Sequence, residues 1–198
     1  MNIVGSRAVF LDRDGVINDM VYNAEFGLVD SPANPDQLNL LPGVGDSIAA
    51  LNEMGFKVFI VSNQPGIAKG KFNSDLLRSM TEKMLKGVAK CGGKIDKVYY
   101  CLHHPKAHVE SYRISCDCRK PRPGLLTRAA EEWNIQLEHS YMVGDGITDI
   151  EAGQAVGATT IFVNDYKCYI CKEMRKKQVR PDFIVTNLLQ AVRVIRRS

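Results

Sequence analysis

No stretch of the chain approaches the ~20 consecutive apolar residues that a helix needs to cross a bilayer. The short apolar run at 8–11 passes directly into the charged segment Asp12-Arg13-Asp14-Gly15, so it is also too brief for a signal-peptide core. These absences lead to the expectation of a cytoplasmic protein with no membrane partner. Net charge is small as well: 26 Lys and Arg against 22 Asp and Glu leave +4 over 198 residues. That balance suits an anionic small molecule but falls short of a nucleic-acid-binding composition, and the basic end at 193–198 reads as a solvated helix face. Internal repeats, low-complexity tracts and linkers are missing too. With an apolar share of 45% and a charged share of 24%, residues 1–198 are expected to form a single domain, acting as a monomer.

What the chain does have is alternation. Short β-rich apolar runs at 8–12, 57–62, 97–101, 141–145, 159–163 and 182–185 alternate with helical patterns at 43–55, 73–92, 124–134 and 187–197. The second of these carries Leu76, Leu77, Met80, Met84, Leu85 and Val88 on one face, read as a core stripe. Alternation of this kind predicts an α/β fold: a Rossmann-like, doubly wound, mainly parallel sheet covered by helices on both faces. Such sheets carry ligand sites at the carboxyl ends of their strands, and here Asp12, Ser62-Asn63, Cys101 and Asp145 fall at predicted strand ends. Residues 19–42 form the longest stretch without periodicity, and a loop of that length in a compact domain is usually functional.

The polar strand ends fall into groups. Asp12 and Asp14 stand two residues apart before a glycine, and two carboxylates that close repel unless a cation or a proton separates them. Read alone, this is equally an acidic turn capping a strand. The pair Asp145 and Asp149 repeats the arrangement, and oxygen ligands around a half-open site suit Mg²⁺. Ser62 and Asn63 offer hydroxyl, amide and backbone donors to an anion, or make an ordinary Ser/Asn turn. Segment 101–120 holds three of the six cysteines and three of the four histidines. In it Cys101-x-His103 and Cys116-x-Cys118, separated by twelve residues, supply four soft ligands. In a reducing compartment such clustering points to metal rather than disulfides. Arg119 and Lys120 follow at once, before a prolyl bend.

Taken in order, the segments FLDRDGVIN, VSNQPGIAKG, CLHH…CDCRKP and VGDGITD resemble the haloacid-dehalogenase superfamily. Within it the resemblance is to the zinc-clipped sugar phosphatases, with histidinol-phosphate phosphatases as near relatives. The likeness implies that Asp12 is a nucleophile forming an aspartyl-phosphate and Asp14 a general acid and then base. It implies Mg²⁺ held by Asp12, Asp145 and the backbone carbonyl of Asp14, with Asp149 in support. Ser62 and Lys120 would hold phosphoryl oxygens, and Asn63, Gln64 and Arg119 would contact substrate. A halide leaves without a proton whereas a sugar alkoxide needs one, so Asp14 independently favours phosphate-ester chemistry over dehalogenation.

Three thiolates and one imidazole (Cys101, His103, Cys116, Cys118) make a closed tetrahedral set, which reads as a structural Zn²⁺ clip presenting Arg119 and Lys120. A nucleic-acid-binding knuckle would need a basic, aromatic platform, and the metal loop has only Tyr112. His104, His108, His139 and Cys91 read as ordinary loop or surface residues, and Cys168-x-x-Cys171 as two helix cysteines. The expected partner is a small phosphorylated sugar. The twelve-residue metal loop favours a heptose bisphosphate over histidinol phosphate or another metabolite monophosphate. Two features depart from that pattern: Gly146 stands where a basic residue is expected, and loop 19–42 is long.

Overall fold

The structure, a computed structural model, describes residues 5–25, 27–163 and 168–198, without the side chains of Cys168 and Tyr169. Its centre is a six-stranded, wholly parallel sheet built from β1 (Ala8–Leu11), β4 (Lys57–Asn63), β5 (Lys97–Cys101), β6 (Tyr141–Gly144), β7 (Thr159–Val163) and β8 (Phe183–Val185). A separate two-stranded hairpin pairs β2 (Val21–Asn23) with β3 (Leu28–Asp30). The helices are α1 (Val44–Glu53), α2 (Ser74–Lys90), α3 (Gly124–Trp133), α4 (Ile147–Gln154), α5 (Cys168–Lys177) and α6 (Leu188–Ile195). Among the described residues no helix is long and apolar enough to cross a membrane.

The sheet runs β5-β4-β1-β6-β7-β8, so the chain winds outward from β1 in one direction and then from β6 in the other. The reversal between β1 and β6 opens a crevice at their carboxyl ends, where open α/β sheets bind ligands. Period-two alternation sorts the strand residues between two cores. Val9, Leu11, Val58 and Ile60 face the side packed with α1, α2 and α6, while Ala8, Phe10, Phe59 and Val61 face α3 and part of α4. Central strands buried on both faces explain the unbroken apolar runs in the sequence. Phe59 anchors the second core, stacked on Phe10 at 5.5 Å and edge-on to Trp133 at 5.4 Å.

Two expectations need correction. On α2, Leu77, Met80, Met84 and Val88 are buried and Leu85 packs partly against the core, but Leu76 is 37% exposed. It sits in the first turn, where the Asn73 side chain accepts its N–H. Segment 19–42 is not a plain loop: it contains the β2–β3 hairpin and a short 3₁₀ turn at Pro35–Gln37.

Candidate active site

The crevice is lined from the ends of β1, β4 and β6. The Asp12 N–H donates to the Val143 carbonyl at 2.9 Å, carrying the β1–β6 ladder one residue past the strand and lifting the Asp12 carboxylate over the sheet edge. The chain then turns sharply, with Ile17 N–H returning to the Arg13 carbonyl at 2.8 Å. Gly15 makes this turn at φ 82°, and a Cβ there would lie 2.3 Å from Asp145 Oδ2. Glycine is required both for the positive φ and for the close approach of the β1 loop to Asp145.

Lys120 reaches the same crevice from the segment after the cysteine cluster. It is 3% exposed, and its ammonium donates to the Val61 carbonyl at 2.7 Å. It also pairs with Asp12 Oδ1 at 2.9 Å and Asp149 Oδ1 at 2.5 Å. That Asp149 oxygen has no aligned hydrogen-bond donor, so the ammonium is its ionic partner. Burial opposes the Lys120 charge, but Asp12 and Asp149 override it and push the ammonium above its ordinary range. Asp149 lies in the first turn of α4, where its Oδ2 accepts the Gly146 N–H at 2.9 Å. Oxygens of Asp12, Asp145 and Asp149 all lie within 4.8 Å of one another. Burial, then repulsion from Asp12 and Asp149, pushes the Asp145 carboxyl up to about 8. Burial likewise carries Asp149 up to about 6 against the pull of Lys120. Three carboxylates facing one ammonium leave an excess of negative charge, which a divalent cation with oxygen ligands fits.

The remaining candidates converge here as well. Ser62 is buried at the end of β4, and its Oγ accepts from Gln64 Nε2 at 3.2 Å. Asn63 grips the Lys120 backbone in both directions: Nδ2 donates to its carbonyl and Oδ1 accepts its N–H, each at 3.1 Å. Asp14 turns away from the carboxylate triangle. Its Oδ1 accepts from Arg13 Nε at 3.0 Å and Asn18 Nδ2 at 2.9 Å, and its Oδ2 from Gln64 Nε2 at 2.7 Å and Arg13 Nη2 at 3.2 Å. Arg13, wholly buried, is the participant that the sequence reading passed over. A cation between two aspartates was its only signal.

Cys101, His103, Cys116 and Cys118 also gather. Their sulfurs stand 3.2–3.6 Å apart, and His103 Nδ1 lies 3.9 Å from Cys101 and 3.6 Å from Cys118. Ligands at zinc bond lengths around a tetrahedron stand about 3.3–3.8 Å apart, so the cluster has the size of a zinc shell. Arg119 Nη1 donates to the His103 carbonyl at 3.1 Å, tying the segment before Lys120 to the cluster. A hollow of about 280 Å³ beside it is lined by Ser115, Arg119, Lys120 and Arg122. A hollow of about 760 Å³ along α5 and β8 is lined by none of these groups. It takes in Cys171, whereas the Cys168 side chain lies outside the described residues.

A parallel sheet with this strand order, carrying paired aspartates at its reversal point and a lysine bridging them, defines the class as a hydrolase of the haloacid-dehalogenase type. Comparisons with known proteins agree: a family model described as "HAD-hyrolase-like" matches residues 117–191. A D-glycero-beta-D-manno-heptose-1,7-bisphosphate 7-phosphatase of Escherichia coli K12 is 42% identical over 154 residues, 77% of this chain and 76% of that protein. Its counterpart in Rhodopseudomonas palustris is 38% identical over 150 residues, 76% and 79% of the two chains. The crystal structure of D,D-heptose 1,7-bisphosphate phosphatase from B. bronchiseptica, complexed with magnesium and phosphate, superposes with a TM-score of 0.78 at 27% identity. That superposition covers 97% of this chain and 99% of the other. The chain belongs to the D-glycero-beta-D-manno-heptose-1,7-bisphosphate 7-phosphatase family of haloacid-dehalogenase-like phosphatases, enzymes that hydrolyse phosphate esters.

Proposed function

We propose that residues 1–198 act as one Mg²⁺-dependent phosphatase domain on a heptose 1,7-bisphosphate, through an aspartyl-phosphate on Asp12. The observation that carries this is the buried Lys120 ammonium shared between Asp12 and Asp149 at the sheet's reversal point, beside Asp145. Asp12 attacks phosphorus, forming the acyl-phosphate bond as the phosphorus–oxygen bond to the sugar breaks. Ser62 Oγ and Lys120 Nζ hold the phosphoryl oxygens, fixed donors whose charge and dipoles do not need to reorganise during transfer. Asp14 gives a proton to the departing sugar oxygen, then takes one from the water that attacks the phosphoryl group. Inorganic phosphate leaves and Asp12 is regenerated.

Asp12, Asp145 and the Asp14 backbone carbonyl would hold Mg²⁺, with Asp149 alongside. The fit rests on the negative excess of the three carboxylates. When bound, the ion supplies the Lewis-acid charge that lets a carboxylate approach a phosphate dianion. Cys101, His103, Cys116 and Cys118 would hold Zn²⁺ in a closed, structural set, consistent with their spacing. Asn63, Gln64 and Arg119 then act as supports: Asn63 through the Lys120 backbone, Gln64 through Asp14, and Arg119 through His103 and a sugar substituent.

Phosphate release with Mg²⁺ over a panel of sugar phosphates and histidinol phosphate tests the reading. Heptose 1,7-bisphosphate is expected to give the highest kcat/KM. A monophosphate winning by a wide margin would sink the substrate assignment, and no release from any ester would sink the activity.

A further inference from the structure

Arg13 is the largest fully buried side chain among the described residues, at 0% exposure. Burying a guanidinium is expensive unless a partner meets its charge. The partner is not the candidate nucleophile: Arg13 donates to Asp12 Oδ1 through its backbone N–H at 2.8 Å, and the Asp12 charge is met by Lys120. The guanidinium instead presents a fork to Asp14, Nε to Oδ1 at 3.0 Å and Nη2 to Oδ2 at 3.2 Å. Asn18 and Gln64 supply two further donors, one to each oxygen. A carboxylate offers about four lone-pair sites, so the fork fixes its plane, and one of the two amide donors gives way when Asp14 carries the proton it transfers.

The fork is itself backed by a neighbour. Arg13 Cζ lies 5.8 Å from the centroid of the Tyr100 ring. The Tyr100 hydroxyl shares a 3.0 Å hydrogen bond with Thr81 Oγ1, which donates to the Leu77 carbonyl on α2. Tyr100 immediately precedes Cys101, so the ring belongs to the strand end that the cysteine cluster pins. Cluster, Tyr100, Arg13 and Asp14 form a continuous set of contacts into the crevice.

We infer that Arg13, backed by Tyr100, is a positioning residue that sets the orientation of Asp14 for proton transfer to the leaving sugar oxygen. This rests on the reading of Asp14 as acid and base. Geometry distinguishes the role from mere charge balance: a lysine at 13 would balance the charge of Asp14 but could not grip both of its oxygens.

The test compares two esters. A sugar alkoxide needs a proton as it leaves, whereas 4-nitrophenolate does not at neutral pH. In Arg13→Lys, kcat/KM for the sugar phosphate should fall about 100-fold, and that for 4-nitrophenyl phosphate by less than about tenfold. Asp14→Asn should show the same bias more strongly. Tyr100→Leu should show it more weakly, and it decides the question through the same ratio if Arg13→Lys does not fold by circular dichroism. Equal losses for both esters in a folded variant, or no loss in either, would overturn the inference while leaving the phosphatase reading intact. If the wild type hydrolyses neither ester, the phosphatase reading has failed and the inference falls with it.

Discussion

Asp145→Asn should make the Mg²⁺-free protein more stable while abolishing its activity. Burial, reinforced by Asp12 and Asp149, carries the Asp145 carboxyl from its ordinary 3.8 to about 8. A carboxyl that holds its proton more tightly when folded contributes stability that is complete below the unfolded value, 3.8, and is lost as pH rises to about 8. Ionising it in place costs at most about 6 kcal/mol at alkaline pH. Because the three carboxylates share protons and Lys120, a neutral amide at 145 should recover about 2 kcal/mol of that. For a chain of this length each kcal/mol moves Tm by about 2–4 °C, so the variant should melt roughly 5 °C higher. Thermal melts between about pH 5 and pH 9, without Mg²⁺ and with zinc retained, read the effect. The gap should widen up to about pH 8, level off above it and close toward acid. Adding Mg²⁺ should narrow or reverse it, because only the wild type keeps the full ligand set. A variant that melts below the wild type at pH 8 without Mg²⁺, or a gap that widens as pH falls, would refute the reasoning.

Other expectations follow from the same geometry. Cys116→Ala should lose the roughly one tightly held zinc per chain that elemental analysis should find in the wild type. It should also melt lower and lose activity as Arg119 and Lys120 come free, so a zinc-free protein as stable and active as the wild type would remove the clip's role. Gly15→Ala forces a side chain into positive φ and to 2.3 Å from Asp145 Oδ2, so kcat should fall at least about 100-fold. Near-normal kcat in that variant would show that the approach to Asp145 is not needed. Gly146 has extended backbone, φ −114° and ψ 151°, so a lysine there is accommodated with a small shift of Asp149. One new charge-assisted bond to a second phosphate is worth about 1.5–3 kcal/mol, roughly ten- to hundredfold in kcat/KM for the bisphosphate. No gain over a monophosphate would mean that the second phosphate lies out of reach of position 146.

The sheet was legible because its strands are buried on both faces and therefore read as unbroken apolar runs; β5 and β7 fall on the expected residues. The site aspartates were legible because they follow those runs directly. Three features were hidden for physical reasons. Helix α4 is only eight residues, holds Gly153 against Met142 and Thr160, and is buried on more than one side, so it lacks a clear polar face. The β2–β3 hairpin exposes Tyr22, Leu28 and Val29, which removes the inside–outside alternation that marks a strand. Arg13 gave only the weak signal of a cation between two aspartates, because its backing residue, Tyr100, lies on β5 and meets it only once the sheet has formed.

The central claim is that Asp12 carries the phosphoryl group. Acid-quenching a single turnover with the sugar bisphosphate and taking the mass spectrum of the peptide containing residue 12 tests it directly. The account predicts a transient peptide heavier by one phosphoryl group, modified at Asp12, that decays as inorganic phosphate appears, and no such species in Asp12→Asn, which should be folded and inactive. Phosphate release at wild-type rates from Asp12→Asn, or a phosphoryl group found on another residue, would contradict it.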